Sequence, residues 1–480
     1  MEKNKTLVLD VEESPKKLHE WLLFAIQHVL AMLVACITVP MLTGLPIAAT
    51  IISAGIGTFV YIFLTKGKSP VFLSSSFAYI TPISTALQIG LIGEATGNNY
   101  LAVIIGMIMV GIIYCIFAIV IKKVGTKWLN KILPPIIVGP VIMVIGLSLA
   151  QSAISNMISA PNSNSTSYNW ISLICGFVAL FATALASHYG KKMVSLIPFV
   201  IGMGAGYITA VLFTLIGFNA CGNAYFKVVN FDPLVNIFKN VNFSSFFNYK
   251  LFIPNDPESF IFLRFDQIKE FDWTTIGSVA LLFIPVSFVT MCEHIGDHEN
   301  LGNIINRDLL NGEPGMSRTL AGDGLATAVS GILCGAANTT YGENVAVIGM
   351  TKIASSKVVL LAAIFSILIG FFTPFTALLQ TIPSAVTGGV SLILYGFIAS
   401  SGVKMLIKEN IDFNKSKNIF IASVILVAGI GGLTLNFGMN PLNPDVQITS
   451  VAVAMILGIL LNLILKDKKE ITNIDKSKLE

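Results

Sequence analysis

Apolar runs of about 20 residues, the length that crosses a hydrocarbon core about 30 Å thick, recur along nearly the whole chain. Lipid offers no water to backbone N–H and C=O groups, so a chain made of such runs is confined to helices or a closed barrel. Runs this long and continuous select helices. About fourteen candidate spans result, two of them short or interrupted, near 21–42, 46–65, 71–90, 101–121, 132–150, 169–187, 193–216, 273–296, 320–335, 336–354, 358–378, 383–403, 418–433 and 449–465. Charged residues make up 12% of the 480, against roughly 25% in a soluble domain. The expected fold class is an all-α polytopic membrane protein, embedded as one unit.

The charges sort by side. Alternate loops carry Lys66 and Lys68; Lys122, Lys123, Lys127 and Lys131; Lys191 and Lys192; Arg307 and Arg318; Lys352 and Lys357; Lys404, Lys408, Lys415 and Lys417; and the tail from Lys466. The intervening short loops, 93–100, 151–169 and 436–449, carry no Lys or Arg. By the positive-inside rule both termini are cytoplasmic and the span count is even. The one basic segment on the other side, 217–272, reads as a partly ordered external excursion. The first 20 residues mix both signs of charge, and the apolar run after them is too long for a signal-peptide core, so no cleaved leader is expected. Six cysteines at Cys36, Cys115, Cys175, Cys221, Cys292 and Cys334 show neither metal-ligand spacing nor a disulfide framework and read as buried small hydrophobes. No metal and no cofactor is expected, and no nucleotide-binding or nucleophile-elbow pattern stands out.

Two spans depart from helix. The third opens with Ser69-Pro70 and the run Ser74-Ser75-Ser76, and the tenth opens Ala336-Ala337-Asn338-Thr339-Thr340-Tyr341-Gly342-Glu343-Asn344. Both are too polar for a continuous membrane helix and read as a short extended piece leading into a half-helix. Each is the third span of its seven-span half, and equivalent interrupted helices are where transporters with inverted repeats place their sites.

An ionisable side chain at bilayer depth costs about 2.5–3.5 kcal/mol on insertion scales, so Glu343 marks a ligand or ion path before it marks packing. A carboxylate capping a half-helix would be the plain structural alternative. Glu293 closes the eighth span in Cys292-Glu293-His294-Ile295-Gly296-Asp297-His298, and Asp297 follows four residues later on the same helical face. Two acids in one apolar cleft cannot both stay charged at low cost, which is the chemistry of a proton carrier. His298 and Glu299 read as a solvated cytoplasmic rim. His28, alone on the first span, reads first as a packing residue and second as a proton relay. Phe77 and Tyr395 offer aromatic faces, and Asn344 is expected to brace the two broken elements.

These segments resemble the nucleobase-ascorbate transporter family, in particular its bacterial uracil permeases. The family signature, an acid or Gln, Asn, any residue, Gly, four residues, Thr, and a basic residue or Gly, is met by Glu343, Asn344, Thr351 and Lys352, with Ala346 in place of the usual Gly. Gln27-His28, Ser75-Ser76-Phe77-Ala78, Glu293-His294, Asn338 to Asn344, and Gly389-Val390-Ser391 with Tyr395 match in order along most of the chain. The resemblance implies two inverted seven-span repeats, 21–216 and 273–465, flanked by tails at 1–20 and 466–480 and separated by the 217–272 excursion. It implies a core domain of spans one to four and eight to eleven, a gate domain of spans five to seven and twelve to fourteen, and short antiparallel strands in spans three and ten.

Carried over by position, Glu293 and Glu343 are the substrate-binding acids, with Phe77, Ala35, Gly342 and Tyr395 as substrate neighbours and Asn344 and Tyr341 structural at the site. Asp297, Glu293 and His28 are the proton-coupling candidates, Asp297 standing where similar permeases have His. The implied activity is proton-coupled uptake of uracil by alternating access, with no enzymatic step and no nucleic-acid partner; the lipid bilayer surrounds the protein, and a homodimer is one candidate assembly. A purine permease, an anion exchanger of the sulfate type and a membrane enzyme are the competing readings. Two carboxyls at the site disfavour an anionic substrate.

Overall fold

The computed structural model of the chain describes residues 7–88, 99–125, 132–159, 168–191, 194, 197–239, 243–253, 260, 271, 273–437 and 446–465. Lys127, Lys131, Lys192, Arg264, Lys269 and the tail from Lys466 lie outside the described residues.

In chain order the principal elements are α1 (Leu18–Thr43), α2 (Ile47–Leu64), β1 (Leu73–Ser75), α3 (Ile80–Gln88), α4 (Tyr100–Val124), α5 (Pro135–Ser148), α6 (Ala150–Ile158), α7 (Trp170–Tyr189), α8 (Pro198–Phe213), α9 (Ile276–Ile305), α10 (Met316–Ile332), β2 (Asn338–Thr340), α11 (Gly342–Thr351), α12 (Ser356–Phe371), α13 (Ser384–Lys408), α14 (Ser416–Ile430), β3 (Leu435–Phe437), β4 (Val446–Ile448) and α15 (Ser450–Ile464). Among the described residues eight helices are long and apolar enough to cross a membrane, with α5 and α6 counted as one, and α12, α14 and α15 are shorter apolar helices. Their ends follow local chemistry. Asn99 and Asn169 accept from backbone N–H groups in the first turns of α4 and α7, and Pro135 and Pro198 open α5 and α8, where a missing N–H costs nothing.

Packing divides the helices into two sets. α2 lies against α10 and α12, α4 against α9 and α10, and α1 against α12; α13 gathers α5, α6 and α7, α7 packs on α8, and α14 on α5 and α15. Small residues make these crossings close, as expected where lipid supplies no hydrophobic drive between helices. A Cβ on Gly111 of α4 would meet the Gly324 carbonyl of α10 at 2.7 Å. Outward faces keep large apolar side chains, Ile208 and Leu212 on α8 and Phe420 and Val427 on α14 among them, which suits a lipid surroundings.

β1 and β2 pair antiparallel in the register Leu73 to Thr340, Ser74 to Thr339 and Ser75 to Asn338, and all six residues are buried. Backbone that leaves the helix inside a membrane must find partners within the protein. Side chains complete the set: Thr58 Oγ1 accepts the Leu73 N–H at 3.0 Å, and Asn338 Nδ2 donates to the Ser53 carbonyl at 2.7 Å. Each strand then hands the chain back to helix, β1 through a 3₁₀ turn at Phe77–Tyr79 into α3, and β2 directly into α11.

Three expectations change. The span predicted at 273–296 is α9, which runs on to Ile305 and ends where Asn306 adopts φ 52°; the polar run from Cys292 to His298 therefore lies inside a 30-residue helix instead of at its rim. Residues 7–14, expected as plain tail, form a strap along 352–356. Val8 and Leu9 donate to the Lys352 carbonyl, Ala354 donates to Leu9 and Ser356 to Val11, while Arg307 grips both oxygens of Asp10 at 2.9–3.0 Å and Val11 is fully buried. Of the six cysteines, expected as buried, Cys221 is exposed and Cys115 half-buried. Within 217–272, Phe247 and Phe252 stack on Phe371 at the end of α12, and the Asn248 N–H bonds the Phe371 carbonyl.

Candidate functional site

Glu343 is the second residue of α11, in the first turn of a half-helix that starts where β2 stops. The first-turn N–H groups and the positive end of the dipole face the same place as its carboxyl. Glu293 and Asp297, one turn apart on α9, bring two further carboxyls to that point, and all three are within electrostatic reach of one another. A Cβ built on Gly342 would stand 3.3 Å from Asp297 Oδ1, which places this carboxyl close against the opening of α11.

The other residues predicted for the site lie on several elements. Ala35 is fully buried on α1, next to Cys36, whose sulfur lies 3.4 Å from Ser74 Oγ of β1. Phe77 follows β1 and meets Tyr395 of α13 edge to face, with ring centroids 5.7 Å apart. That contact joins the two packing sets. Tyr341 is buried directly before α11, near Glu343 and Glu293. Asn344 does not reach β1, where a brace between the broken elements was expected. Its Oδ1 lies 3.1 Å from His28 Nδ1 on α1, which makes His28 a partner that orients Asn344.

Several polar atoms around this point have no hydrogen-bond partner among the described residues: Asp297 Oδ2, Tyr341 Oη, Asn344 Nδ2 and Ser76 Oγ. Buried polar groups are nearly always paired, so donors and acceptors clustered with spare capacity suit a polar ligand. None of Glu293, Asp297 and Glu343 forms a salt bridge with a described residue.

Sequence reasoning missed the neighbouring cluster. Asp323 of α10 is fully buried, and its Oδ2 accepts from the N–H and hydroxyl of Thr340 at 3.2 and 2.9 Å and from His294 Nδ1 at 2.7 Å. The signal was available: an acid between two glycines inside the predicted span 320–335 falls under the same rule that singled out Glu343. His298, expected at a solvated rim, is fully buried with its ring stacked on His294 at 3.9 Å. Glu299 does face solvent, paired with Lys408 at 2.8 Å.

A helical membrane protein in which a strand pair starts two short helices beside three unpaired acids is built as a transporter. The transmembrane domain of the cyanobacterial bicarbonate transporter BicA covers 94% of this chain and all of its own at TM-score 0.58 and 12% identity, and murine Slc26a9, an anion transporter in an inward-facing state, covers 94% of this chain and 69% of its own at 0.60 and 11%. At such identities the likeness is one of fold. The Permease family pattern matches residues 19–438. Uracil permeases of Bacillus caldolyticus and Bacillus subtilis (strain 168) are each 36% identical, over 464 and 451 residues, covering 96% and 94% of this chain and 96% and 93% of their own. That of Escherichia coli (strain K12) is 33% identical over 460 residues, 95% of this chain and 94% of its own. The chain belongs to this permease family, the nucleobase-ascorbate transporters, and is a multi-pass membrane permease, not an enzyme.

Proposed function

We propose that this permease takes up uracil across the cytoplasmic membrane together with a proton. Fourteen spans in two inverted repeats carry both termini on the cytoplasmic side. The α1–α4 and α9–α12 set is the core, the α5–α8 and α13–α15 set is the gate, and substrate crosses as the core is displaced against the gate. The observation that supports this most is the meeting of Glu293, Asp297 and Glu343 at the opening of α11. Uracil presents two N–H donors and two carbonyl acceptors on a flat ring; Glu293 and Glu343 accept from the ring nitrogens, the opening of α11 beside Gly342 donates to a carbonyl, and Phe77, Ala35 and Tyr395 cover the faces. A group left unpaired in a dry site costs about 1–3 kcal/mol, enough to discriminate among bases. The relatives named as uracil permeases support this base, as does Glu instead of Gln at position 343.

A neutral base gains nothing from membrane voltage alone. One proton moving through 100 mV releases about 2.3 kcal/mol, which supports roughly a fifty-fold gradient, so an acid that binds and releases a proton beside the site is an adequate engine. Asp297 is that acid in this reading. The test is uptake of labelled uracil into proteoliposomes under an imposed inward proton gradient, with and without an uncoupler. Accumulation that the uncoupler abolishes is expected, and Asp297→Asn should lose the pH dependence of uptake while equilibrium uracil binding survives. Accumulation indifferent to the uncoupler would remove the proton from the mechanism, and stronger competition by xanthine or urate than by unlabelled uracil would replace the base.

A further inference from the structure

Behind the site, the contacts around His294 and His298 admit a definite assignment of their protons. Thr319 Oγ1 lies 3.1 Å from the Met316 carbonyl and 3.0 Å from His294 Nε2; with its one proton turned to the carbonyl it accepts from the ring. Thr340 Oγ1 donates to Asp323, so His294 Nδ1 is a donor as well, toward Asp323 Oδ2 at 2.7 Å and Thr340 at 3.0 Å. A ring that donates from both nitrogens is an imidazolium, and Asp323 supplies its counter-charge.

His298 is assigned the other way. Its Nδ1 faces the His294 carbonyl at 2.9 Å, and a carbonyl only accepts, so the proton is on Nδ1. Nε2 then receives the Tyr61 hydroxyl at 2.6 Å, whose oxygen accepts from Ser69 Oγ at 2.8 Å, while Ser69 also approaches Nε2 at 3.5 Å. Both nitrogens of a neutral ring are thereby satisfied. The two rings stack with centroids 3.9 Å apart, a spacing at which two positive charges in a buried site repel strongly.

We propose that His294 and His298 form a one-proton pair, in which Tyr61 and His298 act as positioning residues that confine the charge to His294 and thereby hold Thr340 of β2 against the charged Asp323–His294 couple. Thr340 stands three residues before Glu343, so the state of the couple bears on the strand that starts α11. Five titratable groups face the couple: Tyr61 from α2, Tyr79 before α3, Tyr114 from α4, and Glu293 and Asp297 from α9 itself. The consequence for transport rests on the proton-coupled reading above; the pair itself does not.

Nitrogen-15 histidine spectra of the full-length protein in lipid nanodiscs test the pair directly, since the chain has five histidines and single substitutions assign the signals. One imidazolium lost in His294→Asn and one neutral ring protonated on Nδ1 lost in His298→Gln are expected near neutral pH. Two neutral rings, or His298 protonated on Nε2, would overturn the proposal. In the same spectra Tyr61→Phe, which removes the donor to His298 Nε2, should let the two rings share the proton, so that the imidazolium signal is no longer confined to His294. A Tyr61→Phe spectrum superimposable on the wild type would also overturn it. A wild type indifferent to the uncoupler would instead sink the proton-coupled reading, and the spectra would still decide the pair.

Discussion

Asp323 and Asp297 are both withdrawn into the bundle, yet their surroundings differ in kind. Asp323 faces an imidazole at 2.7 Å and takes two more hydrogen bonds from Thr340. Asp297 faces two further acids, and its Oδ2, like Asp323 Oδ1, has no partner among the described residues. A buried charge is tolerable when paired and hydrogen-bonded, and costly otherwise. Asp323 Oδ2 is therefore engaged within the chain, by His294 and Thr340, and ties β2, α9 and α10 together. The Glu293–Asp297–Glu343 cluster is incomplete without protons or a ligand that donates, which is what a site that loads and unloads requires. Substitutions that exchange the two kinds of effect would break this contrast.

The largest effect is expected at the Asp323 cluster. Asp323→Ala leaves the His294 ring and the Thr340 N–H without their partner, and breaking one half of a buried pair costs about 3–5 kcal/mol. Thermal unfolding of the purified protein should show that loss, with much reduced yield in the membrane. Asp323→Asn, which keeps an acceptor for Thr340 but removes the charge, should fall between. Unchanged unfolding in both variants would place Asp323 with the ligand-exchanging acids and dissolve the distinction.

Glu343→Ala sharpens the contrast from the other side. Removing an acid that accepts from a substrate N–H costs about 1.5–3 kcal/mol, or roughly 10- to 150-fold in uracil affinity, while the unfolding transition should stay close to the wild type because no described side chain is left unpaired. Glu293→Ala should be nearly as severe. Titration calorimetry on the purified variants reads the affinity, and binding equal to wild type in either variant contradicts the site.

What could be read from the chain alone follows the same division. The apolar runs, the two breaks at Ser74-Ser75-Ser76 and Asn338-Thr339-Thr340, and the acids Glu293 and Glu343 all announce themselves locally, because each violates the composition of its own span. The fate of His298 does not. Its burial depends on Tyr61 and Ser69, more than two hundred residues away, and a polar run near a span's end reads as rim until those partners are known. The strap at 7–14 was hidden for a similar reason: its backbone pairs with 352–356, and backbone pairing leaves no mark in side-chain composition. Asp323 was legible in principle. One acid among Gly322, Gly324 and Ala321 is a fainter mark on its span than a run of neighbouring polar groups.

The smallest effect belongs outside the bundle, and its pH dependence has a definite sign. Asp308, in the turn between α9 and α10, accepts from the backbone N–H groups of Asn311 at 2.8 Å and Leu310 at 3.0 Å. Those bonds, Asn311's foremost, hold its carboxyl below the usual carboxylate range in spite of a small desolvation in the opposite direction. A folded-state value below the unfolded one means the stabilisation is present above the unfolded value and is lost as pH falls through the folded value. Because Asp308 is exposed to solvent, the amount is modest. Asp308→Ala should therefore lower the unfolding temperature slightly at neutral pH, with the gap from wild type narrowing in acid. The direction separates this residue from the intramembrane acids: a gap that instead widened in acid would mean the carboxyl is held protonated in the fold, as only an acid inside the bundle should be.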